Sequence, residues 1–282
     1  MSSLKRTLLK VCPASMRKPA YEIVKVGRVI RYKSDMLLNP KKMTLYCPCC
    51  GFRFRAFNGW DYKEITTMFA TSRYEGIRQD VLCPICRALP RHRILTLWCE
   101  KHIQELRNSS ILYFAPERSM MRWMQRNEIR CTTADLYADA DLRLDIQATG
   151  LKDGSFDVVI ANHVLEHVDD FRKALQEIHR TLRPKGFFVC SFPMDPKVDL
   201  LDEETEPLSD AERIQRFGQN DHKRVFGMKA DKFLTEAGYE VKVIDGAEYP
   251  EEILPVIGPA DYDMNRLFCC RKERRFRENG TG

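Results

Sequence analysis

Two cysteine pairs are the clearest chemistry in this sequence. Cys47-Pro48-Cys49-Cys50 runs into Gly51, and Cys83-Pro84-Ile85-Cys86 repeats the C-x2-C spacing after a long spacer. Each such turn presents two thiolates to one ion, and two turns complete a tetrahedral site of the zinc type. The expected ligands are Cys47, Cys50, Cys83 and Cys86; Cys49 lies inside the first pair and lacks the pairing spacing. Four protein ligands leave no open position, so this metal is expected to be structural.

A second set of groups stands where apolar runs end: Ala115-Pro116-Glu117, Asp135 and Asn162-His163. A third, Asp221-His222 with Arg224, joins an imidazole that titrates near neutral pH to a guanidinium able to hold an anion. His222, with Asp221 orienting it, is the expected general base, and Arg224 the expected contact to an acceptor. His167 follows His163 by one helical turn, the spacing of a metal pair. With no carboxylate ligand recognised beside it, His167 is read as lining of an acceptor site.

These groups need elements to hold them. ILYF at 111–114 is a short apolar strand, and the helix after it is expected to open at Pro116. CTTADLY at 131–137 is a strand ending in an acid, and Phe156–Ala161 is a third. Phe171, Ala174, Leu175, Ile178 and Leu182 share one helical face, and Arg183-Pro184-Lys185-Gly186 ends that helix. FFVCSF at 187–192, a helix at 230–238, YEVKVID, and RLFCCRK as a last edge strand complete the series. Such alternation predicts an α/β fold with a mostly parallel, doubly wound sheet covered on both faces. In sheets of that kind ligands bind beyond the carboxyl ends of the strands, which selects Ala115–Glu117, Asp135 and Asn162–His163.

Three regions follow. Residues 1–45 form a basic, partly helical lead-in in which Tyr21, Val24, Ile30 and Tyr32 give patchy helical spacing. Residues 46–108 hold the cysteine module and a linker helix whose apolar face includes Ile94, Leu95, Leu97 and Trp98. Residues 109–282 form the α/β domain. The chain has 282 residues, 44% hydrophobic and 30% charged, and a net charge of +6. That composition is ordinary for a globular protein, and no run is long and apolar enough to cross a membrane. Eleven cysteines without an export signal point to reduced thiols in the cytoplasm. Cys12, Cys99, Cys131 and Cys190 read as buried packing.

The stretch D-G-S-F-D-V-V-I-A-N-H-V-L-E-H-V-D-D at 153–170, followed by L-R-P-K-G, resembles class I S-adenosylmethionine-dependent methyltransferases of the type 11 group. The resemblance covers roughly residues 109–272. The whole chain is similar to a bacterial group whose N-terminal C-x-x-C pairs run into an R-H-R segment, here Arg91-His92-Arg93. That group shares A-P-E, T-A-D-L-Y and F-G-Q-x-D-H-x-R, present as Ala115–Glu117, Thr133–Tyr137 and Phe217–Arg224. The resemblance implies a Rossmann-like, mostly parallel seven-stranded sheet and S-adenosyl-L-methionine as cofactor. It places the cofactor at Ala115, Pro116, Glu117, Asp135, Leu136, Asp145, Ile146, Asn162 and His163. Asp135 would accept both ribose hydroxyls, Asp145-Ile146 would meet the adenine, and Glu117 would meet the ammonium or sulfonium. One departure stands out: the usual glycine loop after the first strand is Ala115-Pro116-Glu117-Arg118-Ser119.

The expected activity is O-methylation of a small-molecule or saccharide-type acceptor. An RNA methyltransferase is the alternative, with Arg53, Arg55, Arg87, Arg91 and Arg93 and the aromatics Phe52, Phe54, Phe57 and Trp60 docking RNA. Those aromatics serve equally as the core of a small module. A non-catalytic binding protein is the third reading, since the glycine loop is missing.

Overall fold

The structure, a computed structural model, describes residues 26–27, 29–58, 81–254 and 266–273. Most of the basic lead-in, with Cys12, and also Trp60, lies outside the described residues. Among the described residues, no helix is long and apolar enough to cross a membrane.

The cysteine module is built on a hairpin of β1 (Leu45–Cys47) and β2 (Phe52–Phe54), turned at Gly51, whose φ of 74° suits a residue without a Cβ. Next come α1 (Pro90–Lys101) and α2 (Ile103–Arg107). The central sheet then begins: β3 (Ile111–Phe114), α3 (Arg118–Arg126), β4 (Thr132–Asp135), β5 (Leu142–Arg143), β6 (Phe156–Asn162), α4 (Phe171–Thr181) and β7 (Leu182–Ser191). An insertion of β8 (Leu201–Glu203), α5 (Asp210–Phe217) and β9 (Arg224–Phe226) precedes α6 (Asp231–Glu236), β10 (Tyr239–Asp245) and β11 (Arg266–Lys272).

The sheet has seven strands in the order β10-β11-β7-β6-β3-β4-β5. Strands β5, β4, β3, β6 and β7 run parallel, and β11 is antiparallel to both of its neighbours. This is the Rossmann-like, doubly wound fold that the alternating pattern predicts. RLFCCRK is not the edge expected of it: β11 is inserted between β7 and β10, and β10 is the edge. Its apolar run Leu267–Cys270 is buried throughout, as an internal position requires.

Period-two alternation divides the core. Leu112 and Phe114 of β3 join Val159, Ala161, Phe188 and Cys190 under α4 and α6. Ile111 and Tyr113 join Val158, Ile160 and Val189 beneath α1 and α3 on the other face. Ile94, Leu95 and Trp98 of α1 belong to that second cluster, so this helix is a layer of the α/β sandwich. Cys99 and Cys190 are fully buried and Cys131 is half-buried. Helix α3 starts at Arg118, two residues beyond the expected Pro116, with Glu117 at its N-cap.

Candidate functional site

The four expected thiols converge. Cys47 Sγ lies 3.7 Å from Cys86 Sγ, and Cys50 Sγ 3.7 Å from Cys83 Sγ. All four Sγ atoms fall within 4.8 Å of one another. A tetrahedron with metal–sulfur bonds of about 2.3 Å has edges of about 3.8 Å, so the donor set fits zinc in kind and spacing. Cys49 turns away to Thr96 Oγ1 at 3.0 Å. Buried beside the cluster, Arg93 donates to the carbonyls of Val81 and Ala88 and stacks over Phe57. Four thiolates with one divalent ion carry a net double negative charge, and this guanidinium opposes it. Phe54 and Phe57 are the module's core, and Arg91 is tied to the α/β domain. Arg53 and Arg55 are exposed but paired with Glu252 and Asp35.

The R-H-R and A-P-E motifs meet. Leu89 N–H donates to His92 Nδ1 at 2.8 Å, which leaves the proton on Nε2, 2.5 Å from Glu117 Oε1. Arg91 Nε donates to the same oxygen at 2.9 Å, and Tyr113 Oη to Oε2 at 3.4 Å. Burial would raise the Glu117 pKa, but His92 and Arg91 hold it well below the usual carboxylate range. Glu117, expected to contact the sulfonium or ammonium, is turned to Arg91 and His92 of α1, and neither it nor Pro116 lines the cavity described next.

That cavity, of about 710 Å³, opens over the carboxyl ends of β3, β4 and β6. Ala115, Asp135, Leu136, Asp145, Ile146, His163, His167 and Asp221 line it, so most of the residues singled out from the sequence share one space. Ala115 and His163 have left-handed backbones, with φ of 47° and 52°. Such non-glycine conformations cost of order 1–3 kcal/mol and gather at functional sites. Asp135 Oδ1 accepts the N–H groups of Tyr137 and Ala138, fixing the turn after β4 and leaving Oδ2 out of that turn. Asp145 Oδ1 accepts Gln147 N–H at 2.8 Å, and Gln147 Oε1 in turn accepts Asp170 N–H. Asn162 lies beneath the cavity, its Oδ1 accepting from Ser191 Oγ at 3.1 Å and its Nδ2 buried without a hydrogen bond.

The insertion walls the other end of the cavity with Asp210, Arg213, Asn220, Asp221 and Lys223, most of which the sequence does not single out. Helix α5 starts at a capping box of Ser209 and Glu212 and stops at Gly218, whose φ is 92°. At Gly227 a Cβ would overlap the Val198 and Asp199 backbone, so only glycine lets β9 return there. Arg224 is buried and does not line this cavity. Its Nε meets Glu203 at 2.6 Å, and its other nitrogens donate to the carbonyls of Leu165, Val168 and Asp169. It clasps the insertion to the loop after β6, a structural role beside the acceptor contact expected of it.

His222 is also buried, 2% exposed, and does not line the cavity. Its Nδ1 lies 2.9 Å from Phe217 O, and its ring packs edge-on against His167 with centroids 4.8 Å apart. His167 stands between His222 and the cavity, with Nδ1 3.3 Å from Asp221 Oδ2. Burial works against charge on His167, but Asp221 and Glu166 outweigh it and hold the pKa up at about 9. Glu166 is the main residue that the sequence reading passes over, although it sits inside H-x2-E-H. Its side chain is fully buried; burial would raise its pKa, yet His163, His167 and His222 pull it down to about 2.

A parallel sheet with a cleft at its carboxyl edge, an acid ending the second strand and an acid–apolar pair in the cleft define a Rossmann-like fold with its cleft where such sheets bind ligands. Residues 116–190 match the family described as a methyltransferase domain, a stretch running from α3 through β7. A 55-residue segment is 38% identical to reducing polyketide synthase Preu2 from Preussia isomera; it covers 20% of this chain and 2% of that protein. Among solved structures, an S-adenosylmethionine-dependent methyltransferase from Mesorhizobium loti aligns at 17% identity and TM-score 0.45, over 64% of this chain and 98% of that one. One from Archaeoglobus fulgidus aligns at 15% identity and TM-score 0.43, over 64% and 94%.

Proposed function

We propose that the protein is an S-adenosylmethionine-dependent methyltransferase acting at oxygen on a small, polar acceptor of the saccharide type. The observation that carries this reading is one cavity with two unlike ends, in a chain that matches a methyltransferase domain from α3 to β7. The nucleoside end has Asp135 for the ribose hydroxyls and Asp145-Ile146 for the adenine. The whole cavity, of about 710 Å³, falls within the range of about 300–1,000 Å³ usual for ligand sites. The polar end, with Arg213, Asn220, Asp221 and Lys223, offers donors and acceptors to a hydroxyl-rich molecule.

When bound, the cofactor supplies an activated methyl: an acceptor oxygen forms the new C–O bond as the C–S bond breaks and its electrons return to sulfur. The protein's own work is alignment, together with removal of the acceptor proton. Asp221 lines the cavity and receives that proton; His167 holds its carboxylate in place, and His222 packs behind His167. The four thiols hold one structural Zn²⁺ that fixes the module against α1.

Calorimetric titration with S-adenosylmethionine and S-adenosylhomocysteine tests the first part. Transfer of a labelled methyl group to polyhydroxy acceptors tests the second. Absence of binding by either cofactor form would overturn the reading. Labelled RNA, with no labelled small molecule, would overturn the acceptor class.

A further inference from the structure

We infer that Glu166, His167 and His222 form a second metal site, for a divalent first-row transition ion, in the wall of the cofactor cavity. One ligand atom from each of the three lies within 4.8 Å of those of the other two. The hydrogen bonds around them set the tautomers that a metal needs. His222 Nδ1 faces the Phe217 carbonyl and His167 Nδ1 faces the Asp221 carboxylate, so both protons belong on Nδ1. With the second proton displaced, as ligation requires, each Nε2 has a lone pair to offer, and His167 Nε2 already lies 3.9 Å from Glu166 Oε1. An imidazole held by a carboxylate or carbonyl through its far nitrogen is the usual support of a ligating histidine.

Glu166 supplies the independent argument. Its carboxylate is fully buried, and neither oxygen receives a hydrogen bond of ordinary geometry, although His163 Nδ1 approaches Oε1 to 3.2 Å. Once His167 and His222 are neutral, as metal ligands must be, a buried carboxylate left in this way is costly unless a metal cation joins it. Two imidazoles and one carboxylate favour ions such as Zn²⁺, Co²⁺ or Mn²⁺ over Mg²⁺, which prefers oxygen donors. Three protein ligands leave a position open, as in catalytic and not structural zinc sites. Because His167 lines the cavity, that position faces the acceptor end, where a hydroxyl oxygen would complete the coordination and pass its proton to Asp221 more readily. This role rests on the methyltransferase reading; the ion itself does not.

The test uses the full chain, stripped of metal under reducing conditions and titrated with Co²⁺ alone. The wild type should take up about two ions per chain, one with the intense thiolate charge-transfer band and one with weaker bands free of it. Glu166→Gln and His222→Gln should each lose one ion and keep the thiolate band. Cys83→Ser should lose the thiolate band and keep the other. A wild type that binds only one ion per chain overturns the proposal, whether or not the variants fold. Two ions retained in both Glu166→Gln and His222→Gln would also overturn it. S-adenosylhomocysteine affinity, measured on the same samples, separates the two ideas: its absence removes the methyltransferase reading and leaves the ion count standing, while normal affinity with one ion removes the metal site alone.

Discussion

The cysteine cluster and the Glu166–His167–His222 cluster gather donors in different ways. Each C-x2-C turn brings its two thiols together locally, and Cys83 N–H to Ala88 O and Gly51 N–H to Cys47 O close the turns. The second cluster is assembled across the fold. Glu166 and His167 follow β6, whereas His222 arrives on an insertion that Arg224 and the Lys223 N–H bond to Glu166 O tie down. The first cluster is closed by four ligands and lies away from the cavity; the second is open and borders it. A site made by local turns can hold a module together, while one made by tertiary contacts can answer to a ligand.

The comparison breaks first at Cys83. Replacing it with serine leaves three thiols where four are needed, and structural zinc sites supply about 10 kcal/mol or more to the folding of small modules. Elemental analysis should show the loss of that zinc, and the hairpin of β1 and β2 should become open to protease. A metal-free Cys83→Ser chain with wild-type melting would show that the thiols need no ion.

The join between the two regions comes next. Glu117→Gln removes the carboxylate that Arg91 and His92 share, at a cost of about 3 kcal/mol at neutral pH, the scale for breaking a buried pair. The sign follows from the depressed pKa. The carboxylate stabilises fully above its unfolded pKa of about 4.3 and less as pH falls towards its lower folded value. The gap between wild-type and Glu117→Gln stability, from denaturation midpoints at several pH values, should therefore narrow below about pH 4. A gap that widens in acid would contradict the clamp.

Asp135→Ala should weaken S-adenosylhomocysteine by about 2 kcal/mol, mid-range for hydrogen bonds to a charged group, in a calorimetric titration. Unchanged affinity would move the ribose site elsewhere. The smallest effect belongs to Ala115→Gly, which relieves a left-handed backbone with φ of 47°. Stability should rise by at most about 1 kcal/mol, since the looser unfolded chain offsets part of the gain. A loss would mean that the Ala115 methyl is packed and unstrained.

The sheet was legible because apolar runs ending in acids or turn residues mark buried parallel strands, as at ILYF and at Phe156–Asn162. The insertion was not: β8 and β9 have three residues each, too few to show a period. Their pairing is fixed by Arg224 and Gly227, whose partners are distant in sequence. The same limit hid the burial of His222 and Arg224, since polar residues in a polar stretch read as solvated. Glu117 illustrates a further limit. Its position after β3 is that of a cofactor contact, but its direction is set by Arg91 and His92, from a helix that precedes the sheet.

The place of β11 has a consequence for synthesis on the ribosome. β10 pairs with β11 and not with β7, so it has no place in the sheet until the later strand exists. While residues 266–272 are still within the exit tunnel, β7 presents a bare edge of unpaired amides and carbonyls, the kind of edge that recruits foreign strands. Arrival of β11 then fills two ladders at once, against β7 and against β10. A nascent chain halted before residue 266 should therefore bind holdase chaperones, and the released 282-residue chain should not.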